Sequence, residues 1–245
     1  MSDVKLPKSL KAVPLPGISQ EDRFSSTRDL IAETSYRIVD PDSNSIWGYI
    51  AIDNTQRGPG LGGIRMVQDL SLNEISRLAR VMTVKNSSAC LPYGGAKAGI
   101  TLKSFELTDN SAIREELIEN LADCLFELSA YVPAPDMGTN ENDIQIIYNN
   151  HTRKLGTEKH SRGGAGRPVE KGGIPIDDWE LTAHGLFSAI KALESRDETL
   201  DLSRTKFIVQ GFGNVGAPTA LKLQESGATL VGASDINIAL WNPNG

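Results

Sequence analysis

The stretch KFIVQGFGNVGAPTALKLQESGATLVGASD, residues 206–235, constrains the fold more than any other part of this 245-residue chain. KFIVQ (206–210) is a short apolar run, expected to be a buried strand. It passes without a linker into GFGNVG (211–216), then a helix expected over 217–225, then a second strand expected over 229–235. Gly211 permits a tight turn, Gly213 lets backbone approach a pyrophosphate, and Gly216 allows close helix–strand packing. The helix N-terminus then faces the negative charge, which makes Asn214 and Val215 candidate cofactor contacts beside the three glycines. Asp235 follows Gly216 by roughly 20 residues, the spacing of the acid that binds an adenosine ribose. A βαβ turn without cofactor is the structural alternative. The strand context and the acid together favour a dinucleotide. An acid at that strand end repels a 2′-phosphate, which favours NAD over NADP.

Composition narrows the rest. The net charge of −6 argues against a nucleic-acid footprint, which usually needs a basic face. No run of about 18 apolar residues suggests a membrane span. The start, MSDVKLPKSLKAVPLPG, lacks the apolar core of a secretory signal. Cys90 and Cys124 form no CxxC pattern and fit a reducing cytoplasm as two buried thiols. His151, His160 and His184 show no metal-ligand spacing, so no metal is expected.

Ahead of the glycine turn, residues 1–30 read as a loose arm or a surface helix. YRIV (36–39) and IWGYIAI (46–52), separated by DPDSNS, read as a hairpin. RGPGLGGIRM (57–66) reads as a strand edge or a loop with exposed backbone. From Ser71 to about Ser88 a helix is expected. Ser71 and Glu74 make a capping-box pattern, and Ile75, Leu78 and Met82 form an apolar stripe. The next residue on that stripe is Lys85, which the periodicity points inward. AIREELIENLADCLFELS (112–129) is a second amphipathic helix. YVPAPDMGTNENDIQII then reads as a rigid proline-flanked loop around Asp136, with Asn140 capping the next helix. Residues 150–178 read as an interdomain crossing, and a helix over 182–194 begins a second unit.

Three side chains stand out in this half. Lys97 lies among Gly94, Gly95, Ala96, Ala98 and Gly99, an odd setting for a long cation. Glycine is kept where backbone must come close to something or take a positive φ. Lys85 must snorkel to solvent or find an anion. Asp136 either caps a turn or supplies a carboxylate for proton transfer. Taken singly, each lysine also reads as a solvated surface charge. Taken with a dinucleotide fold, the three suggest one site: cations for a carboxylate and a carbonyl, and an acid for proton movement. On spacing alone both readings stay open.

The stretches GPGLGGIRM, MTVKNSSACLPYGGAKAGI, PAPDMGTNENDIQII, GRPVEKGGIPIDDWELTAHGL and FIVQGFGNVGAPTALKLQESGA occur in one order. Together they resemble the glutamate/leucine/phenylalanine/valine dehydrogenases, over about residues 35–245. The resemblance implies an α/β protein of two domains with the active site in a cleft. The first, over 1–180, would be an α/β substrate-binding and oligomerisation domain, a mixed sheet with helices. The second, over 181–245, would be an incomplete Rossmann domain. It implies NAD(P)-dependent oxidative deamination of an L-amino acid to a 2-oxo acid and ammonia, by a homo-oligomer built through the first domain; the cysteine usage already noted makes the expected location cytoplasmic. Matched by position, Lys97 would activate water and polarise the carbonyl. Lys85 would pair with the substrate α-carboxylate, and Asp136 would shuttle protons. Gly62, Gly63 and Met82 would line the substrate pocket, and Thr182 would lie near the nicotinamide carboxamide. Glutamate-specific members typically carry a lysine just before the glycine pair. Leu61 stands there instead, which favours an apolar amino acid, unless another cation such as Arg65 compensates. Two departures from the family pattern are Ala98, where glycine is usual, and the Ala183–His184 pair.

The sequence stops at WNPNG, after only a strand, a helix and a strand of the nucleotide fold. A full dinucleotide fold has two βαβαβ halves. A fragment, one of two complementing chains, or a non-catalytic copy acting by assembly are therefore the alternatives. By itself such a chain is expected to bind cofactor weakly and turn over little. A methyltransferase or short-chain reductase is disfavoured, because those folds carry the glycine motif near the start of the chain.

Overall fold

A computed structural model describes residues 6–16, 32–102, 111–156 and 165–245. It divides into two compact units, residues 1–174 and 175–245.

The first unit is built on a six-stranded mixed sheet. Its strands are β1 (Lys11–Pro14), β2 (Thr34–Val39), β3 (Ile46–Asn54), β4 (Gly60–Val67), β5 (Gly94–Thr101) and β6 (Tyr131–Pro135). The spatial order is β1-β2-β3-β5-β4-β6. β1 to β3 and the β3–β5 pair are antiparallel, whereas β4 runs parallel to both β5 and β6. The expected hairpin is β2–β3. Within the segment read as an arm or a surface helix, Lys11–Pro14 is a strand, and most of the remainder of that segment lies outside the described residues.

Helices close both faces. α1 (Leu72–Ser88) joins β4 to β5 and covers one face. Its buried residues Ile75 and Ala79 pack with Ala51 and Leu70. α2 (Ser111–Phe126) and α3 (Glu141–Leu155) cover the other. There Leu117, Ile118, Leu121, Ile144 and Ile147 meet Ala96, Ala98 and Ile100 of β5 and Ile64 and Met66 of β4. Strand alternation sorts the side chains: even positions of β4 and β5 mostly enter that core, and odd positions face α1. Ala98 is thus a core residue in an extended strand, where no positive φ is needed.

Several sequence expectations are corrected here. Residues 57–66 are mostly not an edge or loop: Gly60–Val67 is an interior strand between β5 and β6. The proline-flanked stretch before Asp136 is strand β6, not loop. β6 is the last strand of the sheet, and an edge tolerates Pro133 and Pro135 because their missing N–H groups face outward. α3 carries helix to Leu155, into the segment read as a crossing. Its N-cap is Asn140 as expected, accepting from the N–H groups of Asn142 and Asp143. Cys124 is buried, and burial pushes its thiol up to about 12, but Cys90 is exposed at the end of α1.

The second unit holds α4 (Leu181–Glu194), β7 (Lys206–Gln210), α5 (Gly216–Glu225), β8 (Thr229–Ser234) and β9 (Ala239–Trp241). β7 and β8 are parallel and joined through α5, which is the βαβ unit expected from the glycine turn. β9 adds antiparallel to β8 and was not expected. Leu202, Leu223 and Ala228 form its core, with Phe187, Ile190 and Phe207 packed against them. β7 is not buried on both faces: Ile208 is 67% exposed, because the helices of this unit cover only the Phe207 side. No helix among the described residues is long and apolar enough to cross a membrane.

Candidate active site

The glycines around Lys97 have a packing reason. Gly95 and Gly99 lie two residues either side of Lys97, on the face that meets α1. A Cβ on Gly95 would fall 2.1 Å from the Thr83 nitrogen, and one on Gly99 2.6 Å from Leu70 Cδ2. The missing side chains let α1 lie directly on β5. Lys97 is then walled in, only 3% exposed.

Its ammonium goes sideways along the sheet. Lys97 on β5 stands level with Gly63 on β4, which pairs with Ala134 on β6. Asp136 follows the last residue of β6. A Cβ on Gly63 would sit 2.6 Å from Asp136 Cβ and 3.2 Å from Lys97 Nζ. Across that gap Lys97 Nζ donates to Asp136 Oδ1 at 2.9 Å. The other oxygen, Oδ2, accepts from Arg65 Nε at 2.9 Å, and Arg65 Nη1 reaches Glu74 Oε1 at 2.5 Å. Ser71 caps α1 by accepting from the Glu74 N–H, but the Glu74 carboxylate is turned to Arg65.

The charges perturb one another. Burial drives the Lys97 ammonium below the usual lysine range; Asp136 opposes this, and the positive charges of Arg65 and Lys85 add to it. Burial alone would raise the Asp136 carboxyl. The hydrogen bond and charge of Lys97, then those of Arg65, outweigh it and hold the carboxyl below the usual carboxylate range. The Asp136 backbone is fixed too: its N–H donates to Thr139 Oγ1, whose hydroxyl donates to the Ile64 carbonyl. Below the strand, the buried Tyr131 hydroxyl donates to the Gly62 carbonyl at 2.9 Å.

The other residues singled out in this half are near, in different settings. Met82 packs on the backbone of Gly62, its Cγ 3.1 Å from where a Cβ there would stand. Leu61 is half-buried on the Lys97 face of β4. Asn86, buried in α1, donates to the carbonyls of Gly94 and Leu61. Lys85 does not point inward: it is exposed. The buried arc of α1 is centred on Ile75, Ala79 and Asn86, and Lys85 stands about 100° round the helix from Asn86. It lies at the rim, close enough for its charge to act on Lys97. Arg65 was considered only as a stand-in cation and is instead tied to two carboxylates. The signal that could have found it is period-two alternation, which puts Leu61, Gly63 and Arg65 on one face.

In the second unit Gly211 has φ +92°, a conformation that favours glycine, and a Cβ on Gly216 would strike the Gly211 carbonyl oxygen at 2.0 Å. At Gly213 a Cβ would meet nothing within 4 Å, so the backbone there is open. Among the described residues no acceptor takes the N–H groups of Gly213, Asn214 or Val215. An exposed glycine turn with free N–H groups at a helix N-terminus fits the pyrophosphate of a dinucleotide. Asp235 sits just beyond β8. Its Oδ1 accepts from the N–H groups of Ile238 and Asn237, which hold the carboxyl below the usual range. Thr182 is exposed in the first turn of α4.

Comparison with known proteins gives two family matches. Residues 29–153 match the Glu/Leu/Phe/Val dehydrogenase dimerisation domain, and 172–245 match the Glutamate/Leucine/Phenylalanine/Valine dehydrogenase domain. The chain is 33% identical over 239 residues to an NADP-specific glutamate dehydrogenase of Saccharolobus shibatae, covering 94% of this chain and 53% of that protein. It is similar to the hetero-hexameric glutamate dehydrogenase of Thermus thermophilus in its Leu-bound form. That match has TM-score 0.70 and 26% identity over 98% of this chain and 52% of the other. The glutamate dehydrogenase of Peptoniphilus asaccharolyticus shares the fold, with TM-score 0.65 and 24% identity over 98% of this chain and 56% of that one. The chain spans about half the length of the relatives it matches.

Proposed function

The chain belongs to the Glu/Leu/Phe/Val dehydrogenase family, and on that premise we propose that the protein carrying it catalyses oxidative deamination of an L-amino acid to a 2-oxo acid and ammonia. The observation that carries this reading is the Lys97–Asp136 contact, a desolvated ammonium and a carboxylate side by side on one sheet face. A bound nicotinamide dinucleotide supplies the hydride acceptor, with the 211–216 turn suited to its pyrophosphate. Asp136 takes a proton from the substrate amine. Burial makes Lys97 less basic and so favours loss of its proton; as the neutral amine it takes a proton from the water that adds to the imine carbon, and the ammonium so formed polarises the resulting carbonyl. Asp136 returns its proton to the amino nitrogen and takes up the hydroxyl proton as the C–N bond breaks, so ammonia leaves as the carbonyl forms. Lys85 at the rim meets the α-carboxylate, and Gly62, Gly63 and Met82 line the substrate.

Glutamate is the substrate favoured by the relatives' names. Leu61 favours a second reading, an apolar amino acid. It puts no cation beside the glycine pair, and Arg65 is occupied by Asp136 and Glu74. Asp235 supports NAD, and the Saccharolobus relative, named NADP-specific, supports NADP. Oligomeric assembly through the first unit is supported by the match to a dimerisation domain, with homo- and hetero-hexamers both open. Initial rates with Glu, Leu, Val and Phe, each with NAD and with NADP, test all of this. Preference for glutamate supports the first reading, and preference for Leu, Val or Phe the second. No turnover of any of them contradicts the dehydrogenase reading.

A further inference from the structure

Asp136 is gripped from two sides, and only Lys97 was anticipated. Arg65 lies on the intervening strand, two residues beyond Gly63 and on the same face. One planar guanidinium spans two carboxylates from different elements: Asp136 at the end of β6, and Glu74 in the first turn of α1. Thr139 fixes the Asp136 backbone, and Arg114 fixes the turn that follows. Arg114 grips Asp143 through Nε and Nη2, and Nη2 also donates to the Gly138 carbonyl. These contacts fix the backbone and leave the two side-chain torsions, about Cα–Cβ and Cβ–Cγ, to the partners of the carboxylate itself. With Lys97 on Oδ1, Arg65 restrains both by taking Oδ2.

We propose that Arg65 is a positioning residue. Anchored by Glu74, it holds the Asp136 carboxylate in the rotation that presents Oδ1 to Lys97 and keeps it ionised beside the substrate amine. The inference rests on the functional reading above and adds to it a residue that touches neither substrate nor cofactor. The guanidinium fork is essential to this. A lysine at 65 offers one rotatable ammonium in place of the rigid Nε and Nη1 pair, so it cannot hold the two carboxylates in this fixed geometry. Each Asp136 oxygen keeps a second lone pair, so the grip orients the acceptor without using it up. Among the described residues, the charged and titratable groups around the carboxylate are Lys97 on β5, Arg65 on β4, Glu74 and Lys85 on α1, and Tyr131 on β6.

The test is the Asp136 titration itself, followed by NMR of chain labelled with carbon-13 at aspartate and nitrogen-15 at lysine. It needs no turnover, so a failed dehydrogenase assay and a failed titration are separate outcomes. In the wild type Asp136 titrates below the usual carboxylate range. In Arg65→Met the midpoint moves to higher pH, and the Lys97 ammonium resonance broadens as Oδ1 loses its fixed place. Arg65→Lys moves the midpoint in the same direction but less. If Arg65→Met does not fold, the Arg65→Lys shift decides. A folded Arg65→Met chain with the wild-type midpoint overturns the proposal, as does a wild-type midpoint in Arg65→Lys when that variant must decide.

Discussion

Lys97 Nζ reaches Asp136 Oδ1 at 2.9 Å from two strands away, over Gly63 of the strand between. Neither residue could do this in an ordinary sheet, where the middle strand would raise a side chain between them. The pair therefore depends on a glycine that makes no polar contact with either partner's side chain.

That dependence is testable at Gly63. In Gly63→Ala the new Cβ would lie 2.6 Å from both Asp136 Cβ and the Pro135 carbonyl oxygen. The clash meets backbone, so β6 must move. Turnover should fall by at least about a hundredfold, with a stability loss of about 1–3 kcal/mol. Steady-state kinetics beside chemical denaturation check the split. A variant that keeps full activity would mean the contact is dispensable.

Removing the two partners should have unequal effects on stability. Asp136→Ala leaves Lys97 buried with no carboxylate and should cost about 3 kcal/mol. Lys97→Met removes a desolvated charge and leaves Asp136 still held by Arg65, so it should be near neutral. Adding Lys97→Met to Asp136→Ala should recover most of the loss. Urea unfolding of the three variants measures it, and equal losses in both single variants would contradict the electrostatic picture.

The pH dependence follows from the two shifts. Asp136 has its folded pKa lowered, so its contribution to stability is present above the ordinary carboxylate value and is lost as pH falls through the folded value. Lys97 also has its folded pKa lowered, but it is a base. Between that value and the ordinary lysine value the unfolded chain binds more protons, so stability should rise with pH across that window. In Lys97→Met the alkaline rise should vanish. Denaturation midpoints across alkaline pH, wild type against variant, are the measurement.

Much of this site was legible in the residues, and what was not has physical causes. The capped helix, the hairpin and the βαβ unit follow local rules of period and capping that hold here. Lys97 was marked by its glycines, although those glycines seat α1 rather than a ligand. Strand β6 was hidden because prolines read as loop, and only its place at the sheet edge makes them acceptable. Lys85 was assigned to the wrong side because Leu78 and Met82 draw the apolar stripe to one side of the buried arc, whose centre is set by Ile75, Ala79 and Asn86. The tie between Arg65 and Asp136 joins strands far apart in sequence, and no local pattern encodes it.

The account turns on Lys97 acting as the group that activates water and polarises the carbonyl. The most direct measurement is the initial rate of amino-acid-dependent nicotinamide reduction by the protein carrying residues 1–245, wild type against Lys97→Met, with folding verified for both. The account predicts that the variant folds, still binds the 2-oxo acid, and loses activity by about a hundred- to ten-thousandfold. A folded variant that turns over amino acid at the wild-type rate would contradict it.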